Sequence, residues 1–132
     1  MKKVLVIEKD VVNARRMGTV WREAGFQVRL TQDLREAALE TVLWGPDLIV
    51  LDLEGVESEG KEFLQQLQKD PQSSKIPVVL VSPSDRGRMS DVVLQSVRLI
   101  LDRPFRFETM LGGVGDRPSA RLEKRSGAPI AG

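Results

Sequence analysis

The chain has 132 residues, 41% of them hydrophobic, enough for one globular core and too few for two ordinary domains. Its 20 basic and 19 acidic side chains leave a net charge of +1, which excludes a field that steers the whole chain onto nucleic acid or membrane. Cysteine and histidine are both absent, which excludes disulfides, thiolate metal sites, imidazole ligands and phosphohistidine, and leaves carboxylates, hydroxyls, lysine and arginine for chemistry.

The first element is the apolar run Val4 to Ile7, cut off by Glu8. It is too short for a signal peptide or membrane span and reads as a buried strand of a cytoplasmic protein. Ala14, Met17, Trp21 and Ala24 then recur at steps of three and four, with Gly25 as a stop, which predicts a helix. Gln27 to Thr31 predicts a weaker strand. Asp33, Leu34, Arg35 and Glu36 form a capping-box arrangement that opens a second helix, with Leu34, Ala38 and Val42 as its apolar face and Gly45 and Pro46 as its end. Leu48 to Leu51 predicts a third strand, and Phe63, Leu64 and Leu67 a third helix before Asp70 and Pro71. Val78 to Val81 predicts a fourth strand, Met89, Val92, Val93 and Val97 a fourth helix, and Leu99 to Leu101 a fifth strand. Phe107 to Leu111 begins a fifth helix that Gly112, Gly113 and Gly115 make costly to extend. From Asp116 to Gly132 the chain is Gly, Pro, Ser, Ala and charge without an apolar period. The expected organisation is a domain over residues 1–111 and a flexible tail over 112–132.

Unbroken apolar strands alternating with amphipathic helices imply right-handed βαβ crossovers and a parallel sheet covered on both faces. Five such units fit an α/β, flavodoxin-like, doubly wound five-stranded sheet of order 2-1-3-4-5 with a shortened last helix. In that architecture chemistry collects beyond the carboxyl ends of the strands. Glu8, Lys9 and Asp10 follow the first strand, Asp52 the third, Ser82 the fourth, and Asp102, Arg103 and Pro104 the fifth.

The blocks VLVIEKD, PDLIVLDLEGVESEG, IPVVLVSPSD and LILDRPF, in that order, resemble those of response-regulator receiver domains, the CheY-like modules of two-component (phosphorelay) signalling. The likeness covers residues 1 to about 111. It implies that Asp52 is the phosphoacceptor position, that Glu8 and Lys9 occupy the acidic pocket with Asp10 beside it, that Ser82 and Ile100 are the switch positions, and that Arg103 is the cation position. It also implies an Mg²⁺ ion held by two first-strand acids, the phosphoacceptor and a loop carbonyl. This chain departs from that pattern. Lys9 replaces the second acid, where an ammonium group repels Mg²⁺. Arg103 replaces a lysine with a planar fork. Glu54 adds negative charge where a phosphoryl group would sit, and Ile100 supplies no ring at the switch aromatic. Pro104 stands where the family has a cis peptide.

Asp10 reads either as the N-cap of the first helix, the reading taken, or as a substitute ligand. Glu8 reads equally as an acid bonded to loop amides or paired with Lys9, or as a residual ligand. Metal binding is not expected; Glu8, Asp52 and Glu54 are the ligands if it occurs, and Mg²⁺ belongs only to the phosphoacceptor alternative. No other cofactor is expected. Lys9 is expected to lie close to Asp52, with Arg103 approaching from the other side. The expected function is a non-enzymatic atypical receiver that acts through protein contacts without conventional Mg²⁺-dependent phosphorylation. The alternative is a working phosphoacceptor phosphorylated on Asp52. A histidine kinase or downstream signalling protein is the expected partner, on the face of the fourth helix, fifth strand and fifth helix, where Arg86, Arg88, Arg98 and Arg106 fall; a homodimer is compatible, and a membrane is not expected. Nucleic-acid binding through Arg117, Arg121, Lys124 and Arg125 is a third reading, weakened by Asp116, Glu123 and the lack of an aromatic for base stacking.

Overall fold

A computed structural model describes residues 1–82 and 97–112. The expected fourth helix apart from Val97, with Arg86 and Arg88, and all of the tail beyond Gly112, including its four basic residues, lie outside the described residues. The described strands are β1 (Lys3–Ile7), β2 (Gln27–Thr31), β3 (Leu48–Asp52), β4 (Val78–Val81) and β5 (Leu99–Leu101). They form one parallel sheet in the order β2-β1-β3-β4-β5. Helices α1 (Val11–Glu23), α2 (Leu34–Leu43) and α3 (Glu57–Lys69) cross between strands, and a short helix, Phe107–Gly112, follows β5. Among the described residues no helix is long and apolar enough to cross a membrane.

Alternation along each strand sends successive side chains to opposite faces, so the apolar runs feed two cores. Leu5, Ile49, Leu51 and Leu80 face α2 and α3, where Phe63, Leu64 and Leu67 cover them. Val4, Val6, Val50 and Val79 face α1, where Met17 and Trp21 cover them together with Met110 of the short last helix. The register Leu5↔Ile49 and Ile49↔Val78 aligns the strand ends, which brings Glu8, Asp52 and the residues after β5 to one edge. Only β2, at the margin, is largely exposed.

Helix α1 begins where the Asp10 side chain accepts from Val12 N at 2.9 Å, satisfying a free first-turn amide. It stops at Gly25, whose φ of 97° suits a residue without Cβ. Ala24, expected on the apolar face, is instead the exposed C-cap, because the helix ends one residue earlier. At α2 the cap is Asp33, accepting from Arg35 N at 2.8 Å. The reciprocal arm of the expected capping box is not made by Glu36. Thr31 intervenes: its hydroxyl accepts from Asp33 N at 3.3 Å and donates to Glu36 at 3.1 Å.

The apolar face expected for α2 also needs correction. Leu34 packs against the core as expected, but it is Ala37 and Thr41 that are buried, whereas Ala38 and Val42 are exposed. The polar flank of the helix is tied to β2, through Thr31–Glu36 and an Arg29–Glu40 ion pair of 2.5 Å, and the small Ala37 and Thr41 side chains let the helix sit close to the sheet. Thr41 tolerates burial by donating to its own helix at Ala37 O, 2.8 Å away.

Helix α3 lies so close to the strand exit that a Cβ placed on Gly60 would sit 2.1 Å from a methyl of Leu53. Leu53 is fully buried and has nowhere to retreat. Gly60→Ala should therefore destabilise the domain by roughly 1–3 kcal/mol through overpacking, despite alanine's better helix propensity. A thermal melt checks this, and a raised melting temperature would contradict it.

Candidate functional site

The sheet's carboxyl edge sets three charged groups against one another. Asp52 is the last residue of β3, flanked by the buried Leu51 and Leu53, and its side chain is 1% exposed. Glu8 leaves β1 on the inward side, fixed by its own amide donating to Thr31 O at 3.0 Å, and is also buried. Arg103 comes two residues after β5, with a side chain 20% exposed.

Asp52 is gripped from both sides of its carboxylate. The Arg103 guanidinium donates to Oδ2 in a close ion pair and to Oδ1 at 3.4 Å, while Glu54 N donates to Oδ1 at 2.9 Å. This two-pronged arrangement needs the planar fork of arginine. Burial alone would lower the guanidinium's pKa, but Asp52, Glu8 and Glu54 outweigh it and raise the value.

Glu8 responds to the same carboxylate in the opposite sense. Burial, then the hydrogen bond and negative charge of Asp52, push its pKa from the ordinary 4.5 to about 8, against the pull of the Asp10 amide and Arg103. Its Oε2 accepts from Asp10 N at 3.0 Å, whereas Oε1 is buried and has no hydrogen-bond partner among the described residues. A pKa of about 8 favours the protonated form of Glu8 at neutral pH.

Lys9 does not lie where it was expected. It is exposed, its ammonium passing 3.7 Å from the point where a side chain on Gly55 would start, and no ion pair joins it to Asp52 among the described residues. The physical reason is that Lys9 lies beyond the end of β1, in the bend before α1, and its side chain runs over Gly55 instead of onto Asp52. Among the described residues Arg103 alone supplies the ion pair on Asp52. Asp10 is exposed and occupied in capping α1. The Glu54 side chain is also exposed.

Ser82 is buried, and its hydroxyl donates to Asp102 Oδ1 at 2.8 Å, with Leu101 O at 3.4 Å. Pairing of Val81 with Leu101 places these two residues side by side. No spacing in the sequence linked Ser82 to Asp102; the pairing of β4 with β5 does. Ile100 is buried in the apolar core with Val97. The Arg103–Pro104 peptide is cis.

The residues present do not fit Mg²⁺. Octahedral coordination requires several unprotonated oxygens converging on one point. Here both Asp52 oxygens are engaged by donors, burial and Asp52 push the pKa of Glu8 up to about 8, and Lys9 stands in place of a second acid. Among the described residues no three acidic groups are gathered so as to hold a metal ion.

Two consequences are measurable. The folded Glu8 keeps its proton from about 4.5 up to about 8 while the unfolded one releases it, so this group's contribution is fully present below pH 4.5 and lost as pH rises through 8. The melting temperature of Glu8→Gln relative to wild type should therefore rise between pH 5 and pH 9; a constant difference would show that Glu8 titrates normally. Arg103→Ala strands a buried carboxylate and should cost roughly 3–5 kcal/mol, whereas Lys9→Ala should stay within about 0.5 kcal/mol. Urea unfolding of the two variants compares them directly, and equal losses would place Lys9 in the pair after all.

Residues 4–112 match the response regulator receiver domain family. The KDP operon transcriptional regulatory protein KdpE of Escherichia coli is 33% identical over 93 residues, covering 70% of this chain and 39% of that protein. The DNA-binding dual master transcriptional regulator RpaA of Synechocystis is 27% identical over 117 residues, covering 86% and 48%. The chain thus spans about half the length of these relatives. Among solved structures, the chemotaxis protein CheY4 of Vibrio cholerae superposes with a TM-score of 0.71 at 23% identity, over 85% of this chain and 94% of that one.

Proposed function

This chain belongs to the response regulator receiver family, and from that premise we propose that it is an atypical receiver, signalling through protein contacts without Mg²⁺-dependent phosphorylation of Asp52. The observation that carries this reading is the two-pronged grip of Arg103 on Asp52. Phosphoryl transfer to a carboxylate needs one of its oxygens free as the nucleophile and a cation to neutralise the incoming group. The cation here is spent on the ground-state carboxylate. Where a second acid would recruit a metal stands an exposed lysine. With no metal to hold and no ring at Ile100 to rotate, the site is locked in one electrostatic state, and its role is structural.

In this reading the chain acts in the cytoplasm as a non-enzymatic module, and its partner is a histidine kinase or a downstream signalling protein. The surface of β5 and the short last helix is the proposed contact, with Arg98 half-buried and Arg106 exposed beside Glu108 at 4.0 Å. Assembly with a second copy remains compatible with this surface.

Incubation with a small-molecule phosphodonor in Mg²⁺, followed by intact-mass measurement, tests the proposal. Wild type should acquire no phosphoryl group and should be indistinguishable from Asp52→Asn. A phosphoryl adduct present in wild type and absent in Asp52→Asn would establish the alternative, a working phosphoacceptor at Asp52.

A further inference from the structure

Helix α2 touches the sheet with small residues and turns larger ones outward. Ala37 is fully buried and Thr41 nearly so, whereas Leu39, Val42 and Leu43 are 59%, 74% and 75% exposed. At 100° per residue these three fall on one side of the helix, away from the Ala37–Thr41 face. Their stripe continues into an open groove of about 1010 Å³ between α2 and α3, walled by Ala38 and Val42 and floored by Phe63. Both helices link parallel strands, so they run in the same direction with the groove between them.

The rim of this groove is charged unevenly. Glu59, Glu62 and Asp70 line it from α3 and its end, against Arg35 from α2. The acids of α2 itself, Glu36 and Glu40, point off the stripe and are engaged by Thr31 and Arg29. An apolar stripe at helical spacing, beside a groove with an acidic rim, is complementary to a helix with an apolar face flanked by basic residues. A second copy of this chain would bring the same acidic rim and set like charges against each other.

We propose that the α2–α3 face is a docking site for a basic amphipathic helix of a partner protein. Apolar residues of that helix at i, i+3, i+4 and i+7 would cover Leu39, Val42, Leu43 and Phe63, and its lysines or arginines would pair with Glu59, Glu62 and Asp70. The surface is separate from Asp52, so the proposal does not depend on whether Asp52 accepts a phosphoryl group.

The test titrates the full chain with a synthetic peptide of two heptads of leucine and lysine, its leucines at helical spacing, with a leucine–glutamate peptide as control. Amide shifts in NMR locate the binding. The lysine peptide should perturb α2 and α3 saturably, and the glutamate peptide should not. Val42→Asp, and separately Glu59→Lys with Glu62→Lys, should weaken binding about tenfold or more. These residues are exposed, so the variants should melt with wild type, which separates lost binding from lost fold. Unchanged affinity in both variants, or shifts confined to other surfaces, would overturn the proposal. Concentration-dependent self-association abolished by Val42→Asp would do so too, making the occupant a second copy. So would binding that appears only after removal of residues 113–132, making it the chain's own C-terminal segment.

Discussion

Asp52 is a carboxylate at the end of the central strand with almost no access to water, and a charge in that position requires a counter-charge. Arg103 provides it from beyond β5, across the intervening β4, so the pair ties together the carboxyl ends of strands that are not neighbours. Desolvation of both groups offsets most of their attraction, and the pair is better understood as fixing an arrangement than as a reservoir of stability. Its consequences reach the neighbouring groups. Burial, and then the hydrogen bond and negative charge of Asp52 beside it, push the pKa of Glu8 up to about 8.

Much of the fold is legible in the sequence because a parallel sheet buried on both faces leaves little choice of residue. Leu48 to Leu51 and Val78 to Val81 can only be interior strands, and their carboxyl ends then mark where Asp52 and Ser82 converge. Helix faces are harder. Leu34, Ala38 and Val42 do form an apolar period, but the period reports only that one side of α2 is apolar. The pairing of Glu36 and Glu40 with β2, and the small Ala37 and Thr41 against the sheet, leave Ala38 and Val42 toward α3 and solvent, and this depends on contacts between separate elements. Ala24 fails for a simpler reason, since a helix end within one residue is decided by capping geometry.

At the site, the identities were readable and the directions were not. Lys9 next to Glu8 looks like a cation on Asp52, but in the bend after β1 its side chain lies over Gly55 instead. The proton on Glu8 follows from burial and from the nearness of Asp52, neither of which is encoded at Glu8 itself. Ser82 finds Asp102 through the register of β4 with β5, a relation between segments 20 residues apart. Family membership fixes the scaffold and the positions, while the chemistry at those positions is set by which side chain reaches inward.

In this account a guanidinium and a proton do the neutralising work that an Mg²⁺ ion would do, and metal addition tests that substitution most directly. Side-chain carboxyl resonances of Glu8 and Asp52 can be followed by NMR as Mg²⁺ is added at constant ionic strength, in wild type and in Lys9→Asp. The expected result is no movement of either resonance in wild type through millimolar Mg²⁺, and saturable shifts in Lys9→Asp, where the second acid is restored. Saturable sub-millimolar shifts in wild type would contradict the account.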